Sequence, residues 1–317
     1  MNSVYNDNKF LATFYIILFC FLLFFDCIVI TLSFVIKTTK KPRLFYLTMN
    51  VLIANVLLIL SYEMNFFTHY KKDKNGNKIF IKHDLCKFQA IILAGFSLAV
   101  DIIVLLISIF SYKSISISCD YSLENLSKFY FYSLIILPYI FPLFFNLIIG
   151  LITADYEFNE VFCFASSKKY FNNKVSLDIL LLYGSKYILF IITFIYIFKI
   201  IKFLKKKSIK KEKIEAKIFI LKRFSLLIIQ IIGAIPATLT RTVEIIFSKN
   251  VRPWQFWVII ITYNICGFLF AIVYLWISGL FYYFCGKKNI NNDNKNNEFD
   301  ETLSDISLND DISMKKI

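Results

Sequence analysis

Asp26, Asn55, Asp101, Lys186 and Asn264 each interrupt a long apolar run close to its middle. A charge at that depth in hydrocarbon costs several kcal/mol unless it is paired or wetted. Asp101 lies 11 residues before the end of one run, and Lys186 lies 11 residues after the start of another. At about 1.5 Å per residue both fall within a few ångströms of one plane. An acid and a base at one depth suit an intramembrane ion pair, Asp101–Lys186, that could act as a switch. The alternative is that water or hydroxyls satisfy each separately. Closer to the run ends, Arg241 and Glu244 are spaced i,i+3 and share a helix face, and Glu63 ends another run. With Lys186, these three either line a ligand cavity or, at the ends, anchor helices by reaching for the interface.

Other chemistries are poorly served. His69 and His83 both lie in one polar segment, and the seven cysteines contain no CxxC pair. No His-based metal site or His-dependent catalysis fits within the apolar runs, and no cofactor is called for. An intramembrane aspartyl enzyme needs paired acids, and neither Asp26 nor Asp101 has the Gly-x-Gly-Asp context of such enzymes. The reading is therefore not an enzyme.

The elements that must position these residues follow from composition. The chain has 317 residues, 58 % of them hydrophobic and 18 % charged, with 36 Phe and 19 Tyr. A soluble domain carries closer to a quarter charged residues. That balance excludes disorder, collagen-like repeats and a conventional soluble enzyme. A bilayer core of about 30 Å needs about 20 apolar residues. Segments 10–36, 44–68, 85–112, 129–153, 175–201, 224–247 and 254–282 meet that length. The expected fold is an all-α membrane protein, a seven-transmembrane helix bundle over 10–284. A nine-residue N-terminal segment precedes it. The first run is too long for a signal peptide and lacks a small-x-small cleavage site, so it reads as a retained helix.

The net charge is +14, which in a soluble chain would point to nucleic acid. In a membrane chain the cations instead set orientation. With the N-terminus outside, 11 Lys and Arg fall in outer segments and 21 in inner ones. The five Lys of 69–84 run against this bias, and the ten cations of 202–223 dominate it. The expected topology is N-terminus outside and C-terminus cytoplasmic, in the plasma membrane. The tail 285–317 is Asn-rich and holds seven acids between Asp293 and Asp311. It cannot bury enough apolar surface to fold alone. Ser304, Ser307 and Ser313 stand beside acids there, which suits phosphorylation, or the tail is simply solvated. Cys285, followed by Lys287 and Lys288, is either a palmitoylation site or a free thiol.

In this topology Cys86 opens the third helix outside, and Cys163 lies in the second outer loop. No other cysteine falls outside. In an oxidising compartment such a pair is expected to bridge, pinning loop 154–174 to the top of helix three; the alternative is two free thiols.

These features resemble the G-protein-coupled receptors, in which such a bridge recurs. The rhodopsin-type marks are missing, since helix three ends Ser111-Tyr112-Lys113 and helix seven has no Asn-Pro-x-x-Tyr. The sequence looks closer to the slime-mould cyclic AMP receptors and the related fungal nutrient-sensing receptors. Phe162-Cys163-Phe164 resembles that family's Trp-Cys-Trp. Pro236 with Thr240-Arg241 resembles its Pro and Asn-Arg pattern. The run from Gly267 to Tyr274 resembles its Gly-Phe-x-Asn-Ala-x-Val-Tyr. Phe270 replaces the Asn of that motif, and Asp101 stands where an aromatic is frequent.

The resemblance implies a receptor that senses an extracellular small molecule and activates a heterotrimeric G protein. Lysine-rich outer loops favour an anionic ligand. Lys113, Lys205, Lys206, Lys210, Lys222 and Arg223 would then face the G protein, and basic extensions there also suit anionic lipid. Pro138, Pro142 and Pro236 remove helical hydrogen bonds and are expected to bend their helices. The competing reading is a seven-helix transporter or channel, although no repeat links helices 1–3 with 5–7.

Overall fold

A computed structural model describes residues 9–35, 43–68, 70–72, 78–80, 84–116, 126–153, 156–158, 163–165, 177–206, 224–240, 243 and 253–277. Seven helices occupy the described residues. They are α1 (Lys9–Val35), α2 (Arg43–Thr68), α3 (Asp84–Ser116), α4 (Lys128–Thr153), α5 (Leu177–Lys206), α6 (Phe224–Thr240) and α7 (Pro253–Ile277). Helix is what an apolar chain forms in lipid, because it satisfies every interior backbone N–H and C=O within one segment.

Five of these helices are long and apolar enough to cross a membrane, with spans at Ile16–Val35, Phe45–Tyr62, Cys86–Lys113, Lys128–Ile148 and Val258–Ile277. α6 is apolar but shorter over its described residues. α5 is long, and Lys186, Lys199 and Lys202 interrupt it. The chain is thus helical and suited to a membrane, with five clear spans among the described residues.

Two short antiparallel hairpins add to the helices. β1 (Tyr70–Lys72) pairs with β2 (Lys78–Phe80), and β3 (Tyr156–Phe158) pairs with β4 (Cys163–Ala165). α3 outruns its apolar segment by four residues, to Ser116. Asp101 consequently sits near the middle of α3.

Burial separates central from peripheral helices. Inside the bundle lies 67 % of the α2 window and 61 % of the α3 and α7 windows, against 28 % for α1 and 22 % for α4. The outward faces of α1 and α4 carry Phe21, Phe24, Phe141 and Phe144, all more than half exposed. Water would reject such a surface, whereas lipid tails accept it.

α3 is the hub, packing on α2, α4 and α5, while α7 packs on α1 and α2. Close approach explains two glycines. A Cβ at Gly95 of α3 would strike Leu143 of α4, and one at Gly267 of α7 would strike Asn55 and Ile59 of α2. Aromatic pairs fix the registers, with Tyr62 on Tyr263 at 5.4 Å and Phe45 on Tyr274 at 5.4 Å. Pro138 and Pro142 lie within an α4 that continues past both. Asn146 Nδ2 donates to the Pro142 carbonyl at 2.7 Å.

Candidate functional site

The centre of the described bundle holds a four-residue polar network. Lys186 of α5 places Nζ 3.3 Å from Asp101 Oδ2 of α3. The same ammonium donates to the Ser97 hydroxyl, one turn earlier on α3. Gln230 of α6 donates through Nε2 to Asp101 Oδ1. All four side chains are buried. The carboxylate therefore has one oxygen toward an ammonium and the other toward an amide, and three helices meet at a single charge pair. Pairing is what allows both ions to remain charged away from water.

Hydropathy and register brought Asp101 and Lys186 together, and the structure brings them together. Ser97 and Gln230 went unnoticed. Ser97 is one of many serines in apolar runs. Gln230 is marked only as the sole amide in its run, 224–247. Lys186 is buried within this network.

A second cluster sits at the end of the bundle that carries the hairpins. Cys86 and Cys163 form a disulfide, joining the start of α3 to β4 across 77 residues of sequence. Beside it, Gln89 is almost wholly buried and uses both ends of its amide. Its Oε1 accepts from the Cys163 backbone N–H at 3.1 Å. Its Nε2 donates to the Ser61 carbonyl at 2.8 Å and to that of Tyr62 at 3.3 Å. Gln89 lies one helical turn beyond Cys86, which puts both on one face of α3. One covalent bond and one amide thus tie the hairpin to α3 and α2 together. The sequence marked the cysteines and not Gln89.

At the opposite end, Lys199 of α5 lies over the rings of Tyr112 and Tyr196, at 5.8 and 5.2 Å. Lys113 neighbours this aromatic pair on α3 and is partly exposed. Arg43, at the start of α2, stacks 5.2 Å over Phe131 and donates to the Leu126 carbonyl. These contacts tie α3 to α5, and α2 to the approach to α4.

The remaining sequence candidates divide by position. Glu63 lies in the last turns of α2, and Lys205 and Lys206 end α5. Arg241, Glu244, Lys210, Lys222, Arg223, Cys285 and the tail lie outside the described residues. Among the described residues no group of three or more His, Cys, Asp or Glu side chains could hold a metal.

No protein-family model matches the chain, and no curated protein matches it.

Proposed function

We propose that the chain is a seven-helix plasma-membrane receptor of the G-protein-coupled type, with its N-terminus outside and its C-terminal tail in the cytoplasm. The supporting observation is the Asp101–Lys186–Gln230 network, which joins α3, α5 and α6 through one buried charge pair. A signalling bundle needs an element with two discrete arrangements, and a buried ion pair shared by three helices meets that need. Breaking it frees α5 and α6 from α3 while the hairpin stays fixed to α3 by the disulfide. On this reading the disulfide end is extracellular and receives a small, preferably anionic molecule. The Lys113 end, with the basic 202–223 segment, faces the G protein and anionic lipid.

The test is nucleotide exchange on a panel of purified heterotrimeric G proteins, in membranes bearing the chain or its Asp101→Leu/Lys186→Met double variant, which removes the pair without leaving a lone buried ion. Releasing the pair should change basal exchange on at least one heterotrimer by on the order of tenfold, about 1.4 kcal/mol of population shift. Equal exchange on every heterotrimer, with both chains folded at the cell surface, would overturn the receptor reading. A transporter would instead give cation- or solute-dependent uptake into vesicles that Lys186→Met abolishes.

A further inference from the structure

Side-chain contacts fix the direction of three helices. Lys186 of α5 donates to Ser97 of α3, and further along both helices Tyr196 packs on Tyr112 with ring centroids 5.8 Å apart. The two registers rise together, so α3 and α5 run parallel. Gln89, near the start of α3, bonds the carbonyls of Ser61 and Tyr62 near the end of α2, so α2 runs against α3. Tyr263 meets Tyr62 and Tyr274 meets Phe45, so α7 runs against α2. α3, α5 and α7 therefore finish at one end of the bundle, away from the hairpins, and the segment after α7 leaves from that end.

The same end of α5 is basic. Lys199 and Lys202 are exposed, and with Lys206 they follow an i, i+3, i+7 spacing along one stripe of the helix. Lys199 Nζ lies over the Tyr112 and Tyr196 rings, so the stripe borders α3, where Lys113 is partly exposed. Among the described residues neither Lys199 nor Lys202 has a carboxylate partner. The run 202–223 continues this charge with ten cations against two acids.

The tail 285–317 lies outside the described residues, and its sequence supplies the opposite charge. Between Asp293 and Asp311 it holds seven acids and one lysine. Anionic lipid repels such a segment, whereas the α5 stripe attracts it. The distance is short enough. α7 packs on α2, α2 on α3 and α3 on α5, three steps of about 10 Å each. The 16 residues from Ile277 to Asp293 reach about 50 Å when extended. Each exposed ion pair is weak. A tether of this length raises the effective concentration to the millimolar range, where several weak pairs suffice.

We propose that the acidic segment Asp293–Asp311 docks on the basic end of α5, along Lys199, Lys202 and Lys206 beside Lys113. The contact rests on helix direction and charge, not on the receptor reading. On that reading, the docked tail covers the surface given to the G protein and must leave before coupling.

The experiment uses the full chain, one per nanodisc of phosphatidylcholine, with no G protein present. A water-soluble carbodiimide, which joins touching ammonium and carboxylate groups as amides, is applied at low and at high salt. Mass spectrometry should find links from Lys199, Lys202 or Lys206 to acids of 293–311 at low salt, and their loss at high salt. Chymotryptic cleavage after Phe299 should run on the order of threefold faster in Asp300→Lys/Glu301→Lys, a change confined to the tail. Adding Lys199→Glu/Lys202→Glu to that variant should restore protection. No link between α5 and the tail in the wild-type chain at low salt would overturn the contact, and that result needs no variant to fold. Links that appear only when two chains share a disc would overturn docking within one chain. Loss of the links in discs containing phosphatidylserine would give the surface to lipid and overturn the tail as its occupant.

Discussion

Lys186 reaches across from α5 to set its ammonium 3.3 Å from the carboxylate of Asp101 on α3, with their side chains 5 % and 1 % exposed. At that burial each ion depends on the other for its charge. Removing one partner leaves an uncompensated ion, a loss of about 3–5 kcal/mol, whereas replacing both with apolar residues of similar size costs far less.

Asp101→Leu and Lys186→Met should therefore each lower surface expression and thermal stability sharply, and the double variant should recover most of both. The measurement is a double-mutant cycle on Tm and on surface abundance. Additive losses would mean that the two residues do not depend on each other. Gln230→Leu should cost less than either, about 0.6 kcal/mol, as is typical of a hydrogen bond between membrane helices.

The disulfide and Gln89 act on the same hairpin by different means. Cys86→Ser and Cys163→Ser should each reduce surface expression, with the double variant no worse than either single one. Gln89→Leu should lower stability further on top of Cys163→Ser, because it also releases the Ser61 and Tyr62 carbonyls. Unfolding monitored with and without reductant separates the two contributions. An effect of Gln89→Leu that vanishes in the reduced protein would show that it works only through the bridge.

Glycine substitutions give opposite signs at two positions. Gly267→Ala drives a methyl group into Asn55 and Ile59 and should cost about 1–3 kcal/mol. Gly184→Ala meets nothing within 4 Å and removes a helix-weakening glycine from α5, so it should be neutral or stabilise by up to about 1 kcal/mol. Thermal unfolding of the purified variants checks both. A tolerated Gly267→Ala would mean that α2 and α7 do not approach this closely.

Orientation is decided by glycosylation. Asn125-Leu126-Ser127 is a sequon on the side read as cytoplasmic, and it should remain unmodified. Asn77→Thr completes a sequon at Asn75, between β1 and β2, and that asparagine should acquire glycan. The readout is a glycosidase-sensitive mass shift. A shift in the wild-type chain at Asn125 inverts the bundle.

Hydropathy made most of the helices legible because each apolar run must close its own hydrogen bonds in lipid. The apolar run 85–112 marks the α3 span at Cys86–Lys113, and the helix itself continues to Ser116, where backbone bonding still holds and apolarity no longer does. Equal depth, with helices three and five taken as neighbours in a receptor-like bundle, paired Asp101 with Lys186, because charges in hydrocarbon have few permitted partners. Gln230, Ser97 and Gln89 stayed hidden for the opposite reason. A neutral amide or hydroxyl is cheap to bury, and its partner is set by helix rotation, which residue spacing in one chain does not encode. Asp26 and Asn55 stood out by depth, but that Gly267 makes room for Asn55 emerges only when α2 and α7 are seen side by side.

The double tether at Gln89 and Cys163 has a mechanical consequence. Since one side chain grips the hairpin with its oxygen and α2 with its nitrogen, the ends of α2 and α3 and the hairpin behave as one rigid plate. A push on the hairpin is not absorbed by a hinge at α3; it is passed to α2 as a tilt. Motion that opens this end of the bundle then comes from α5 and α6 swinging away from the plate, with the Asp101–Lys186 contact as their latch.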